Sequence, residues 1–214
     1  LCFRDVARRM EKLHIMFEEC GLEKGHKVAI CSRNQANWAV AFLATMTYGA
    51  VPVPLLHEFK SSNIHHLVNH SEAKILFVDD VIWEGLTETE MPALQAIIQV
   101  NTFKLLYAAD PKIEYARANL NVLFGQKYPT EFNRNCINYY EDKPDELAII
   151  NYTSGTSGFS KGVMLPYRAV WNNYNFGENA LGKKLKKGDN VISILPMAHM
   201  YGMSFEFIFE FMHG

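Results

Sequence analysis

Apolar runs alternate with helix-like stretches near the start of the chain, and this alternation constrains the fold more than any other feature. Residues 27–31 and 74–78 are predicted strands, while 35–48 and 63–69 show helical patterns. Residues 50–55 are predicted to be extended, and their two prolines confine them to a sheet edge or a strand end. This order of strands and helices predicts βαβ units. We therefore predict an α/β fold with a parallel-rich sheet and helices on both faces.

The flanking segments extend this pattern less regularly. A helix is predicted over residues 3–20, with Gly21 as its stop. The other predicted elements are strands at 96–100, 103–107 and 190–195, and helices at 111–124 and 166–181, with a polar connection at 128–143. We expect two parts: residues 1–140 as a first α/β subdomain, and 141–214 as a phosphate-loop segment with the truncated start of a second.

Composition excludes several classes of protein. A chain of 214 residues that is 49% hydrophobic can form a real core. A net charge of −2 without a basic stripe argues against a nucleic-acid partner. Four widely spaced cysteines indicate free thiols in a reducing cytoplasm. The uncharged stretch 37–56 leaves a helix of about thirteen residues, short of the roughly 20 of a transmembrane segment.

A glycine-punctuated loop follows the short apolar run 147–150, which is predicted to be a buried strand. Its sequence from 152 to 163 is Tyr-Thr-Ser-Gly-Thr-Ser-Gly-Phe-Ser-Lys-Gly-Val. Glycines, including Gly162, permit left-handed turns and close approach, so that backbone N–H groups can converge on phosphate oxygens. The residues predicted to bind phosphate with backbone, hydroxyl or ammonium groups are Thr153, Ser154, Gly155, Thr156, Ser157, Gly158 and Lys161. A mobile Ser/Gly linker is the alternative, but a linker has no reason to follow a buried strand directly.

The loop differs from the Walker A motif, because Ser160 stands where that motif needs glycine and Gly162 where it needs Ser or Thr. A P-loop kinase is therefore disfavoured. The loop instead closely resembles the signature of the adenylate-forming enzymes, which include acyl-CoA synthetases, firefly luciferase and adenylation domains of peptide synthetases. Their usual form is Tyr-Thr-Ser-Gly-Thr-Thr-Gly-x-Pro-Lys-Gly-Val. Ser157 keeps the hydroxyl of the replaced threonine, whereas Ser160 frees a φ angle that proline would fix.

A second motif of the same family lies 38 residues further on, where Leu-Pro-x-x-His-x-x-Gly surrounds His199. In the family this histidine lines the acyl pocket, and the sequence around it is most similar to long-chain fatty acid-CoA ligases. A histidine packed at a strand end is the alternative. The methionines and phenylalanines from Met197 to Phe209 could line an acyl tunnel or serve as ordinary core.

The resemblance implies ATP-dependent activation of a carboxylic acid, a fatty acid by this reading, to an acyl-adenylate, followed by thioester formation with coenzyme A. It implies His199 and Lys161 as catalytic residues, Thr156 as the hydroxyl on the Mg²⁺ side, and the large N-terminal domain as the fold. The later motifs of the family are not in these 214 residues. We therefore expect an N-terminal fragment that needs the missing C-terminal part of the enzyme and does not catalyse adenylation alone.

The sequence alone leaves other interpretations open. A non-catalytic α/β module that binds a nucleotide or another anion is the main alternative function. His66 and His70 are spaced like metal ligands on a helix, but there is no glutamate in a His-Glu-x-x-His pattern and no cysteine nearby. Gly-x-Ser-x-Gly does not occur, so no Ser-His-Asp triad is argued. The expected location is the cytoplasm, with the periphery of a membrane as an alternative; the chain begins at Leu1, which leaves targeting signals unassigned.

Overall fold

The protein is described by a computed structural model, which covers residues 2–153, 160–182, 184–186 and 188–214. Within these ranges the helices are α1 (Phe3–Glu19), α2 (Ala36–Tyr48), α3 (Ser61–His70), α4 (Asp80–Trp83), α5 (Pro111–Ala118), α6 (Leu120–Lys127), α7 (Tyr167–Gly177) and α8 (Phe209–His213). The strands are β1 (Lys27–Cys31), β2 (Val51–Leu55), β3 (Ala73–Val78), β4 (Ala96–Gln99), β5 (Leu105–Ala108), β6 (Leu147–Thr153) and β7 (Lys161–Pro166). Short 3₁₀ turns (Glu88–Glu90, Arg134–Cys136) and π-helical segments (Glu178–Gly182, Gly202–Ile208) complete the described part.

The main sheet has five strands in the order β2-β1-β3-β4-β5. β1 pairs in parallel with both β2 and β3, and β3 pairs in parallel with β4. β5 returns antiparallel to β4. The βαβ prediction is confirmed, because α2 connects β1 to β2 and α3 connects β2 to β3.

Both faces of this sheet are covered by helices, so successive side chains along a strand enter opposite cores. One core joins Val28 and Ile30 of β1 to α1, α2 and α5, and it includes the stacked rings of Trp38 and Phe42, whose centroids lie 5.3 Å apart. The other core joins Ala29 and Cys31 to α3 and to alternate residues along β2 and β3. The predicted α/β fold with helices on both faces is thereby confirmed.

The edge strand β2 lies beside β6 without sharing backbone hydrogen bonds with it in the described structure. The N–H of Val51 donates to the carbonyl of His26 next to β1. Peptide groups alternate in direction along a strand, so Pro52 and Pro54 occupy the positions that face away from β1. Proline has no N–H, so this outer edge offers no backbone donor. Side chains make the contact instead: Ile150 and Tyr152 pack in the same core as β2.

Three predictions differ from the structure. Residues 190–195 form no strand, and Ile192 and Ile194 are about four-fifths exposed, at 80% and 79%. Their apolar alternation imitates a strand, but no described strand pairs with them. Lys161–Pro166, expected as loop and helix start, is instead strand β7, and Pro166 caps α7. The predicted helix over 111–124 is divided at Asn119 into α5 and α6.

The division into parts 1–140 and 141–214 stays a prediction. Apolar residues from both ranges contribute to one core, among them Phe42 from the first range and Ala148, Tyr167 and Phe207 from the second. An ion pair of 2.9 Å between Lys24 and Glu146 also joins the segment before β1 to the segment before β6. None of the described helices has the length and hydropathy that a membrane span requires.

Candidate functional site

β6 and β7 form an antiparallel hairpin whose tip carries the predicted phosphate loop. β6 is buried from Ala148 to Tyr152 and becomes exposed at Thr153. Thr153 stands opposite Lys161, the first residue of β7. Cross-strand neighbours of this kind project their side chains from the same face of the hairpin. The hydroxyl of Thr153 and the ammonium group of Lys161 therefore flank the open end of the hairpin.

The remaining predicted phosphate ligands, Ser154, Gly155, Thr156, Ser157 and Gly158, lie outside the described residues. Their assignment, and that of Thr156 to Mg²⁺, stays a prediction. Lys161 itself is exposed, and among the described residues no carboxylate lies within ion-pair distance of it. An exposed cation beside an exposed hydroxyl has the chemistry of an anion site.

Gly162 serves packing rather than turn formation, contrary to the expectation of a left-handed turn there. It lies within β7 and is not among the residues with positive φ. A Cβ at this position would lie 3.2 Å from Ile150 Cγ2 and 3.2 Å from Tyr152 Cε1. A side chain at this position would press on Ile150 and on the ring of Tyr152, which lies close to the β7 backbone.

Tyr152 connects the end of β6 to helix α3. Its hydroxyl lies 2.7 Å from Nδ1 of His70, and burial raises the pKa of this tyrosine. The ring of His70 lies 5.8 Å from that of His66, centroid to centroid. Among the described residues no group of three or more His, Cys, Asp or Glu side chains could hold a metal ion. His70 is therefore better explained as the partner of Tyr152.

His199 lies in an irregular segment just before the π-helical segment Gly202–Ile208, and its side chain is exposed. Its backbone N–H donates to the carbonyl of Pro196 at 2.9 Å, and its carbonyl accepts from Met203 at 2.8 Å. The Nδ1 atom accepts from the N–H of Tyr201 at 3.3 Å. A ring whose Nδ1 is an acceptor carries the proton of its neutral form on Nε2, so Nε2 is the donor that His199 can offer to a ligand.

The segment before His199 is held by the side chains of Asn151, Asn34 and Glu206, which were not predicted from the sequence. Asn151 of β6, which is only 5% exposed, donates from Nδ2 to the carbonyl of Ala198 at 3.0 Å. Asn34, three residues beyond β1, accepts from the N–H of Met197 at 2.7 Å and donates to the carbonyl of Leu195 at 2.8 Å. The one signal in the sequence was a polar asparagine inside the apolar run that forms β6.

Glu206 binds the same segment a few residues earlier, at 193–195. One of its carboxylate oxygens accepts from the N–H groups of Ile194 and Leu195, at 2.8 and 3.0 Å, and from the hydroxyl of Ser193 at 3.0 Å. Because an irregular segment has no ladder to satisfy its backbone, such side-chain partners take that role. Residues 193–199 are thus fixed without a strand.

The glycine of the His199 motif has a steric reason. A Cβ at Gly202 would lie 2.5 Å from the carbonyl oxygen of Pro196 and 3.2 Å from the carbonyl oxygen of Leu195. Only glycine lets the π-helical segment fold back against the Leu-Pro pair that precedes His199. The spacing Leu-Pro-x-x-His-x-x-Gly therefore encodes one compact turn.

The aromatic residues after His199 act mainly as core. Phe207 packs edge-on against Trp38 and Phe42, with centroids 5.9 and 5.6 Å apart, and Met203 and Phe209 are fully buried. A largely apolar cavity of about 180 Å³ lies between α2, α7 and α8, bordered by Phe42, Trp171 and Phe211 among others. Thr153, Lys161 and His199 do not line it.

Comparison with known families agrees with the two motifs. The model of the AMP-binding enzyme family matches residues 1–214. The chain belongs to this family of adenylate-forming enzymes.

Among curated relatives, long-chain-fatty-acid–CoA ligase 6 of Mus musculus is 26% identical over 210 residues, which is 94% of this chain and 30% of that protein. Long-chain-fatty-acid–CoA ligase 1 of Cavia porcellus is 26% identical over 207 residues, covering 91% of this chain and 29% of its own length. The chain thus spans about 30% of the length of these relatives.

Solved structures share the fold. ATP-bound MatB from Rhodopseudomonas palustris superposes with a TM-score of 0.72 at 21% identity, over 95% of this chain and 37% of that one. A long-chain-fatty-acid-CoA ligase, FadD1, from Archaeoglobus fulgidus gives a TM-score of 0.71 at 22% identity, with the same coverage of 95% and 37%. At these identities the likeness establishes the architecture of the chain.

Proposed function

We propose that the protein containing this chain activates a fatty acid with ATP and passes the acyl group to coenzyme A. The carboxylate attacks the α-phosphate of ATP, which forms an acyl-adenylate and releases pyrophosphate. The thiol of coenzyme A then attacks the acyl carbonyl, which forms the thioester and releases AMP. The long-chain fatty acid-CoA ligases among the relatives support this substrate class.

One observation carries the proposal. The buried hydrogen bond between Asn151 and Ala198 joins β6, which leads into the phosphate signature, to the residue next to His199. Two motifs that are 38 residues apart in sequence therefore meet at one strand. A phosphate site and a carboxylate site must adjoin in an enzyme that joins a carboxylate to a phosphate.

The proposed roles follow from the chemistry of each group. Residues 153–158 hold the β- and γ-phosphates through backbone N–H groups and hydroxyls while negative charge develops on the leaving pyrophosphate. Lys161 adds a positive charge at the same end of the hairpin. His199 offers its Nε2–H toward the oxygen of the reacting carboxylate.

Mg²⁺ and coenzyme A complete the proposal. Mg²⁺ would supply charge neutralisation on the phosphate oxygens, and Thr156 is the residue of this chain assigned to its side of the site. The exposed hydroxyl and cation at the hairpin end fit a metal–triphosphate, since no described carboxylate pairs with Lys161 there. No residue of this chain is assigned to coenzyme A. We propose a cytoplasmic location, although one relative from Arabidopsis thaliana is described as peroxisomal.

The test is carboxylate-dependent exchange of pyrophosphate into ATP by the full-length protein, measured across fatty acids of increasing length. Exchange that needs a fatty acid, followed by thioester formation when coenzyme A is added, is the expected result. Binding of ATP without exchange for any carboxylic acid would favour the non-catalytic anion-binding module instead.

The 214-residue chain gives a second test. Because it spans about 30% of its relatives, we expect it to show no carboxylate-dependent exchange and to bind ATP only weakly. Calorimetry that returned a micromolar dissociation constant, or robust exchange by the chain alone, would contradict this expectation.

A further inference from the structure

The irregular segment 193–199 is held by side chains that come from distant parts of the sequence. Asn151 reaches it from β6, and Asn34 reaches it from the turn after β1. We propose that Asn151 and Asn34 are positioning residues, which fix His199 relative to the phosphate-loop hairpin. The inference rests on the proposed function, because it assigns these residues to that same reaction.

Asn151 has the strongest geometry. Asn151 lies in β6, two residues before Thr153, and its side chain is buried. The only described hydrogen-bond partner of this side chain is the carbonyl of Ala198, at 3.0 Å. Ala198 is itself only 5% exposed and directly precedes His199. A buried hydrogen bond therefore ties β6, the first strand of the β6–β7 hairpin, directly to the residue before His199.

Asn34 fixes the orientation of the segment as well as its distance. It uses opposite ends of one amide, donating from Nδ2 to the carbonyl of Leu195 and accepting at Oδ1 from the N–H of Met197. Two contacts on either side of Pro196 prevent the segment from rotating about the Asn151 bond. The two asparagines together hold the backbone at three points just before His199.

A carboxamide has the chemistry needed to hold a backbone segment at these positions. It combines an N–H donor with an oxygen acceptor and carries no charge, so it can satisfy a backbone carbonyl in a buried place without a desolvated ion. An aspartate of the same shape could not donate to Ala198. The choice of asparagine over aspartate at position 151 is therefore explained by its partner.

The experiment measures adenylation by the full-length protein with Asn151→Ala, Asn151→Asp and Asn34→Ala. Because a misplacement near 1 Å can cost about 100-fold in rate, we expect kcat to fall roughly 10- to 100-fold for each. The KM for ATP should change by less than about twofold, because the phosphate ligands stay in place. Asn34 is exposed, so its variant keeps the test available should the buried substitutions fail to fold.

A matched control removes the same kind of bond elsewhere. Asn37 of α2 donates from Nδ2 to the carbonyls of Val100 and Asn101, at 3.0 and 2.8 Å, accepts from Arg9 at 2.5 Å, and forms no hydrogen bond with the described residues 193–199. Asn37→Ala should lower the thermal midpoint in the same way as Asn151→Ala while leaving kcat near wild type. A fall in kcat equal to that of Asn151→Ala would mean that the effect is merely structural and would overturn the proposal.

The decisive readout is a double-variant cycle with His199→Ala. If Asn151 acts through His199, then adding Asn151→Ala to His199→Ala should change kcat by less than about twofold. If the losses in kcat of the two single variants multiply in the double variant, the positioning role is wrong, while the proposed function still stands. A wild-type protein that releases no pyrophosphate with any carboxylic acid would instead overturn the proposed function, and with it the role of His199.

Discussion

Gly202 lies where the π-helical segment folds back against Pro196, and adding one methyl group there tests the geometry of the His199 turn. In Gly202→Ala the new Cβ would meet the Pro196 oxygen at 2.5 Å, whereas ordinary contact begins at 3.4 Å. The two backbones must separate by about 0.9 Å, because the obstacle is a carbonyl rather than a flexible side chain. Overpacking of this kind costs about 1–3 kcal/mol.

The expected readout is a lower thermal midpoint. For a chain of this size each kcal/mol shifts the midpoint by about 2–4 °C, so the decrease should be roughly 2–12 °C. In the full-length enzyme we expect an additional loss of adenylation rate, because the shift displaces the backbone that carries His199. Differential scanning fluorimetry on the purified variants measures the first effect.

Gly125 supplies the matched control. It lies inside the exposed helix α6, and a Cβ there would have no heavy atom within 4 Å. Gly125→Ala should therefore raise stability by about 0.5–1 kcal/mol, since alanine is the better helix former. Midpoints that move in the same direction for both variants, or a Gly202→Ala midpoint equal to wild type, would refute the steric argument.

Three further predictions concern a carboxylate, a cation and two thiols. Burial pushes the pKa of Glu11 up, but hydrogen bonds from a neighbouring histidine and from Tyr128 outweigh it and leave the pKa below its ordinary value. Glu11→Gln should therefore lose about 1–3 kcal/mol at pH 7, and urea titrations should show this difference shrinking as pH falls below about 4.5. Lys161→Ala in the full-length enzyme should slow adenylation at least about tenfold, with Lys161→Arg retaining more activity; unchanged kcat and KM for ATP would remove this lysine from the site. Burial raises the pKa of Cys20 and Cys31 to about 12, so at pH 8 a thiol reagent should label these two only after denaturation, and rapid labelling of either in the native chain would contradict their burial.

The parallel part of the sheet was predictable because local patterns determine it. The apolar run of β1 and the long apolar helix α2 are found at the predicted places. Strand β7 was not predictable, since Met164 is 65% exposed and Lys161 and Gly162 read as loop residues. Residues 190–195 show the reverse error: their alternation is that of a strand, but pairing depends on a neighbour that no local pattern reports.

The candidate site was likewise predictable only in part. Its signature residues, Lys161 and His199, were found from motifs that are contiguous in sequence. The asparagines that hold the segment before His199 were not found in this way, because Asn34 and its partner Met197 are 163 residues apart. Only the folded chain brings such pairs together, so a contiguous motif predicts candidate site residues but not the distant side chains that hold them.

The two prolines of β2 determine how the β6–β7 hairpin is attached to the five-stranded sheet. Strands β1 to β3 are joined by backbone hydrogen bonds, so any relative sliding breaks several of them at once. Among the described residues, the β6–β7 hairpin contacts β2 through apolar side chains without backbone pairing, and such dispersion contacts weaken gradually with small displacements. Within the described residues the shape of apolar side chains therefore sets where the hairpin lies on β2, whereas backbone pairing sets the register of β1 to β3.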